Sequence, residues 1–254
     1  MDDLLIAIPA RFNSTRLPGK PLLKINDKTI IHQVYLSIKE IKDCDNAKII
    51  FLTDDKRVYD EVIHFGGDCY ISEKYCENGT ERIIDYMLKN NIHKKYVLNI
   101  QGDEPFFDID KIGHLIHDFI SKNNLNEKIT CGTMYYSTND YDYVNSNNKV
   151  KLVINEQNFI MYGSRQVIPG SKKNLTKIKD IQYHIHIGIF IFNCDYLIQS
   201  YNKKNEYYQT IEDLEWLKVL EQDYKIYALQ TDKHEIGVDT QEDYEYLKNK
   251  FEKI

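Results

Sequence analysis

The first hundred residues alternate short apolar runs with segments of helical period, and this alternation constrains the fold more than any other feature. Leu4-Leu5-Ile6-Ala7-Ile8, Lys48-Ile49-Ile50-Phe51-Leu52, Cys69-Tyr70-Ile71 and Tyr96-Val97-Leu98-Asn99-Ile100 read as buried strands. Between the first two, Ile30, Ile31, Val34, Tyr35, Ile38 and Ile41 recur at helical spacing. Val58, Val62 and Phe65 mark a second helix, which stops at Gly66-Gly67. Asn78-Gly79-Thr80-Glu81 reads as a helix start, with Asn78 as the cap and Glu81 three residues on. Such an alternation predicts an α/β fold: a mostly parallel sheet with helices on both faces. Ligands bind such sheets at the carboxyl ends of the strands.

Two segments lie at such ends. The first is Ile8-Pro9-Ala10-Arg11-Phe12-Asn13-Ser14-Thr15-Arg16-Leu17-Pro18-Gly19-Lys20-Pro21, with two arginines and a lysine among small residues. Backbone N–H groups and cations in one loop can converge on one anion, as a triphosphate requires. The same loop also reads as a basic surface loop. The second segment is Gln101-Gly102-Asp103-Glu104-Pro105.

The second half reads differently. Lys149–Ile154 and Phe159–Tyr162 are strand-like and close together, and His184–Phe192 is a long strand. Ser171–Asp180 reads as an exposed loop. A helix is expected from about Thr210 to Gln222. Its buried stripe would be Ile211, Leu214, Leu217 and Leu220, with Glu212, Glu215, Trp216 and Val219 on the adjoining face. The strand Lys225–Leu229 follows, and Thr240-Gln241-Glu242-Asp243 caps a final helix. No internal repeat or linker rich in Pro or Gly interrupts the chain. The 254 residues therefore read as one domain, with an inserted subdomain between about 132 and 190.

A formal net charge of −6 argues against a general nucleic-acid-binding surface, so any phosphate chemistry must come from a local cluster of cations. The five cysteines, Cys44, Cys69, Cys76, Cys131 and Cys194, are odd in number and lack C-x-x-C spacing. They suggest neither a disulfide framework nor a zinc site, and point to a reducing compartment. An acidic start, Met1-Asp2-Asp3, and the absence of a long apolar run give the expectation of a soluble cytoplasmic protein without a membrane partner.

Asp103 ends a strand in a turn, and Asp239 stands just before a helix start. Two such carboxylates could share one Mg²⁺, which takes carboxylates together with phosphate oxygens. Each could equally support its own turn or cap. Asp108 and Asp110 form a D-x-D, but they open a helical pattern and read as capping residues. His184 and His186 share one face of a strand without an evident third ligand, so one functional or packed histidine is the reading preferred over a metal pair. G-x-G-x-x-G and G-x-x-x-x-G-K-[ST] are both absent.

Taken together, Ile8–Pro21, Asn78-Gly79-Thr80-Glu81-Arg82, Gln101–Pro105 and Val238-Asp239-Thr240-Gln241-Glu242-Asp243 resemble the motifs of the CMP-Kdo synthetases (3-deoxy-manno-octulosonate cytidylyltransferases). Order and approximate spacing match over essentially the whole chain. The resemblance implies a Rossmann-like nucleotidyltransferase fold with an inserted β-rich dimerisation subdomain. It implies a cytoplasmic, Mg²⁺-dependent homodimer. Such an enzyme condenses CTP with a 3-deoxy sugar acid, giving a CMP-sugar and pyrophosphate for lipopolysaccharide or capsule synthesis.

The resemblance also assigns residues. Arg11, Ser14, Arg16 and Lys20 would take the nucleotide's phosphates, and Gly79, Thr80 and Gln101 would lie near its cytidine, with Ala10, Asn78 and Arg82 also among the nucleotide-binding residues. Asp103 and Asp239 would hold the metal. Arg11, Arg16, Lys20, Asp103 and Asp239 form the implied catalytic set. Arg165 would meet the sugar acid's carboxylate, with His186, Phe190, Glu215 and Trp216 beside it. Three departures stand at the sugar end. Phe190 replaces a usual tyrosine and Trp216 a usual glutamine. After Ile168-Pro169 the chain has Gly170-Ser171-Lys172-Lys173, without the usual aromatic residue and arginine. The alternatives are the same chemistry on a modified acceptor, such as 8-amino-8-deoxy-Kdo or another acidic sugar, and an inactive regulatory relative that binds a nucleotide or sugar.

Overall fold

Strand β1 (Leu4–Pro9) is buried at all six positions, as a strand covered on both faces must be. The computed structural model describes residues 2–14, 16–170, 181–201, 207–232 and 237–252. The loop expected at 171–180 lies outside them. The chain divides into two compact units, Met1–His114 with His234–Ile254, and Leu115–Lys233.

In the first unit, β1 leads through the basic loop to a small hairpin, β2 (Lys24–Ile25) and β3 (Lys28–Thr29). Helix α1 (Ile30–Lys39) follows, capped by the Thr29 hydroxyl, which accepts from His32 N. Then come β4 (Lys48–Thr53), α2 (Lys56–His64), β5 (Cys69–Ile71), α3 (Gly79–Lys89) and β6 (Tyr96–Asn99). The strands pair in parallel in the order β6-β1-β4-β5, as the alternation of periods predicts. The basic loop leaves the carboxyl end of β1, and Gln101–Pro105 leaves that of its neighbour β6.

The division between the units falls inside α4 (Ile109–Leu125). The Asp108 carboxylate accepts from Lys111 N at 3.3 Å, and Asp110 pairs with Lys42 on the surface. The D-x-D is thus a helix start.

The second unit holds β7 (Ile129–Thr138), the short helix α5 (Tyr141–Val144), β8 (Lys151–Ile154), β9 (Ile160–Ser164) and β10 (Tyr183–Asn193). One helical turn, α6 (Cys194–Tyr196), then α7 (Tyr207–Glu212), α8 (Leu217–Glu221) and β11 (Lys225–Gln230) complete it. Here the order is β11-β7-β10-β8-β9, with β11 parallel to β7 and the other pairs antiparallel. The final helix, α9 (Gln241–Phe251), belongs to the first unit.

Two of the departures from the sequence reading have a clear physical reason. β7 has no counterpart in it. The first seven positions of β7 are buried, so the strand lacks a polar–apolar alternation, and its threonines and glycine hide an apolar environment. The single helix expected over 210–222 is two short helices. Asp213 breaks it with φ 52°, and Ile211, expected in the buried stripe, is exposed. Tertiary hydrogen bonds, described below, claim the carbonyls that a continuous helix would use.

Candidate active site

The first unit gathers most of the expected nucleotide-handling residues around the end of β1. Ala10 N donates to Leu52 O, and Gly102 N to Pro9 O at 3.1 Å, so the two loops run against each other. A Cβ at residue 102 would lie 2.8 Å from that of Ala10, so only glycine permits this approach. The basic loop is closed by Gly19 N donating to Phe12 O at 3.0 Å. Leu17 N donates to Ser14 Oγ at 3.4 Å. Leu17 anchors the loop in an apolar cluster with Ile25, Ile30, Val238, Tyr244 and Leu247. Burial of each such side chain is worth about 1.5–3 kcal/mol. The loop's polar groups are therefore held from below by packing.

Lys20 sits at the centre. Its ammonium pairs with the Asp103 carboxylate and lies 3.2 Å from Asp239 Oδ1. Arg16 Nη2 reaches the same Asp239 oxygen at 3.1 Å. Burial opposes the charge on Lys20, but Asp103 and Asp239 outweigh it, and its pKa is raised. The segment carrying Asp239 is pinned to the Asp103 turn by Val238 N donating to Asp103 O at 2.9 Å. The cap of α9 is Thr240, in a reciprocal box with Asp243. Asp239 is thus released from capping, and its carboxylate faces the two cations.

The start of α3 lies beside them. Asn78 Oδ1 accepts from Glu81 N at 2.9 Å, as the cap pattern predicts, and Arg11 Nη1 donates to Glu77 O at 3.1 Å. A chain of amides follows: Gln101 Nε2 donates to Asn99 Oδ1 at 3.1 Å, and Asn99 Nδ2 to Thr80 Oγ1 at 3.4 Å. Asn99 and Thr80 are fully buried, so this chain fixes the Gln101 amide and leaves its carbonyl oxygen as an acceptor. Arg82 does not join the cluster. Its side chain is buried and turned to Asp54, 2.9 Å away.

The second unit carries the residues expected at the sugar end. Arg165 is engaged with the protein itself. Its Nε donates to Glu212 O at 2.9 Å, Nη2 to Asp213 O at 2.9 Å and Asp213 Oδ2 at 3.1 Å, and Nη1 to Asn147 O at 3.2 Å. The Glu212 carboxylate accepts from Ser164 Oγ at 2.7 Å and from Arg165 N at 3.0 Å. These bonds end α7. Lys151, buried in β8, donates to the carbonyls of Ser146, Lys149 and Arg165, and so braces the same corner. Nothing in sequence periodicity signals such a lysine.

Trp216 is buried, not displayed. A Cβ at Gly163 would lie 2.3 Å from the edge of its indole. The indole packs 5.3 Å from the His186 ring, which lies 5.0 Å from the ring of the buried Phe190. The carbonyl of Glu215 accepts from Tyr201 Oη at 3.4 Å. His186 Nε2 lies 3.0 Å from Thr133 Oγ1, and His184 Nδ1 lies 2.9 Å from Ser137 Oγ. The two histidines thus have separate hydroxyl partners. Burial pushes the His186 pKa down to about 3, so its ring is neutral. Among the described residues, no group of three or more His, Cys, Asp or Glu side chains is arranged to hold a metal ion, and the five cysteines are free. No helix of the described residues is long and apolar enough to cross a membrane.

A parallel sheet with a cationic loop and paired carboxylates at its carboxyl ends places the chain among nucleotidyltransferases, and a family model described as cytidylyltransferase matches residues 5–226. A 3-deoxy-manno-octulosonate cytidylyltransferase of Fusobacterium nucleatum is 38% identical over 242 residues, covering 95% of this chain and 94% of that protein. One from Flavobacterium johnsoniae is 32% identical over 242 residues, with 95% and 96% covered. The solved structure of a CMP:2-keto-3-deoxy-manno-octonic acid synthetase complexed with CTP matches with a TM-score of 0.86 at 27% identity, covering 98% of each chain. The chain belongs to the 3-deoxy-manno-octulosonate cytidylyltransferase family.

Proposed function

We propose that this chain condenses CTP with 3-deoxy-manno-octulosonate (Kdo), forming CMP-Kdo and pyrophosphate. Family membership supports the reaction class and the sugar. The observation that carries the residue roles is the meeting of Lys20, Arg16, Asp103 and Asp239 at the carboxyl ends of β1 and β6.

In this reaction the sugar's anomeric hydroxyl attacks the α-phosphorus of CTP. The new bond is oxygen to α-phosphorus, the bond to the bridging oxygen breaks, and the hydroxyl proton is lost to solvent. Negative charge grows on the departing pyrophosphate. Arg11, Arg16 and Lys20, held on the closed loop, would stabilise that charge without having to reorganise. The Gln101 carbonyl oxygen, fixed by Asn99, would accept from an amino group such as that of cytosine.

Mg²⁺ dependence belongs to the same proposal. Asp103 and Asp239 fit such an ion, since one Lys20 ammonium already reaches oxygens of both carboxylates. Two carboxylates with triphosphate oxygens are the donor set that Mg²⁺ prefers. When bound, the ion would supply positive charge to the phosphates. The proposal also includes a homodimer, a cytoplasmic location and a place in lipopolysaccharide or capsule synthesis, which rest on family resemblance.

The test is pyrophosphate release from CTP and Mg²⁺ with Kdo, run beside a panel of other 3-deoxy-2-ulosonic acids. Release with Kdo supports the proposal. Release only with a modified acid would move the proposal to that acceptor, and none with any acid would defeat it.

A further inference from the structure

Thr133 Oγ1 lies at the meeting point of three polar groups. His186 Nε2 is 3.0 Å away, Ile187 O 3.2 Å and Ile189 O 2.7 Å. The two carbonyls converge because β10 bulges against β7. Its pairing runs from Ile187 opposite Met134 directly to Phe190 opposite Thr133, which pushes the intervening residues out of register. Thr133 is fully buried.

We infer that Thr133 locks His186 in the tautomer with its proton on Nε2. A hydroxyl has one proton. The carbonyl oxygens can only accept, so that proton goes to them, chiefly to Ile189 O. If Thr133 instead donated to Nε2, two carbonyl oxygens would face the hydroxyl oxygen at 2.7 and 3.2 Å with no hydrogen between them. Thr133 must therefore accept from His186, and Nε2 carries the hydrogen. Nδ1 is left as a bare acceptor on a neutral ring.

The consequence concerns the substrate. On the proposed function, with His186 at the sugar end, the ring accepts a hydrogen bond from a sugar hydroxyl and has no Nδ1–H to offer a carboxylate. Thr133 is a positioning residue that acts through His186. β10 carries the histidine, but the residue that sets its chemistry stands on the strand that the sequence reading missed.

The test is the ring ¹⁵N spectrum of the full-length labelled protein at pH 7, with His186 assigned by its loss in His186→Gln. The expected spectrum has a protonated Nε2 and an unprotonated Nδ1. A proton on Nδ1 in the native protein would overturn the inference. Thr133→Val should let the second tautomer appear and raise KM for Kdo about tenfold, the value of one net hydrogen bond, with KM for CTP unchanged. Thr133→Ser should restore both. An unchanged spectrum in Thr133→Val, or an unchanged KM for Kdo beside an altered spectrum, would remove Thr133 as a positioning residue. If Thr133→Val does not fold, the native spectrum and Thr133→Ser still decide, since serine keeps the hydroxyl and must keep the tautomer. If the native protein does not turn over Kdo, the proposed function falls, while the spectrum still judges the tautomer.

Discussion

Lys20 pairs with Asp103 across 83 residues of sequence, joining the loop after β1 to the turn after β6. Asp239 shares the same ammonium from a third segment, 219 residues away. One cation therefore ties together three stretches that local structure alone would leave apart.

Removing that cation should leave two carboxylates facing each other. Lys20→Met should lower stability near neutral pH by about 1.5–3 kcal/mol, the range for hydrogen bonds to charged groups. Because the folded-state pKa of Lys20 is raised, its contribution is full below the ordinary lysine value and is lost as pH rises through the higher folded value. Denaturant unfolding at pH 7 and at a pH well above the ordinary lysine range checks this: the native protein's advantage over the variant should shrink at the higher pH. An equal difference at both would show that the charge is not responsible.

Arg165→Lys should damage the corner between α7 and α8. A lysine cannot serve Glu212, Asp213 and Asn147 together, because it lacks the planar fork. The expected outcome is a Tm several degrees lower, together with a KM that rises more for Kdo than for CTP. An unchanged Tm with raised KM for Kdo would mean that the guanidinium leaves these carbonyls to bind the sugar acid.

Gly163→Ala should displace the indole of Trp216, since the added Cβ would fall 2.3 Å from it. Overpacking of this kind costs about 1–3 kcal/mol. Trp216 is the single tryptophan of the chain, so its emission reports the shift directly. Unaltered emission and stability would show that this packing is looser than the structure has it.

Legibility differed between the two units for physical reasons. The strands and helices of the first unit follow simple periods, and Asn78 and Thr240 cap helices where their side-chain chemistry predicts. Strand ends and helix starts mark Asp103 and Asp239 in the sequence, but their pairing with Lys20 is not legible there, because it joins segments 83 and 219 residues apart. In the second unit, tertiary contacts override local preference. Arg165 and Glu212 break a helix that periodicity alone would continue. Arg82 shows the same limit: the motif lists it with the nucleotide residues, whereas the fold turns it inward to Asp54.

The neutral ring of His186 should leave a mark on acid stability. Its pKa is held down at about 3 by burial, so the unfolded chain takes up a proton that the native state refuses. Its contribution is full above about pH 6.5 and is lost as pH falls toward 3. His186→Gln should therefore flatten the decline of Tm between about pH 6.5 and 4. An unaltered slope would assign the decline to other groups, among them His184 and His32, whose pKa values are also lowered by burial.

The two aspartates beside Lys20 carry the most weight in the proposed chemistry. The direct measurement is pyrophosphate release from CTP, Mg²⁺ and Kdo by the native protein, Asp103→Asn and Asp239→Asn, with folding checked by circular dichroism. Asparagine keeps the shape and loses the charge, so each variant should turn over at least about 10²-fold more slowly while remaining folded. Near-native turnover in both variants would contradict the account.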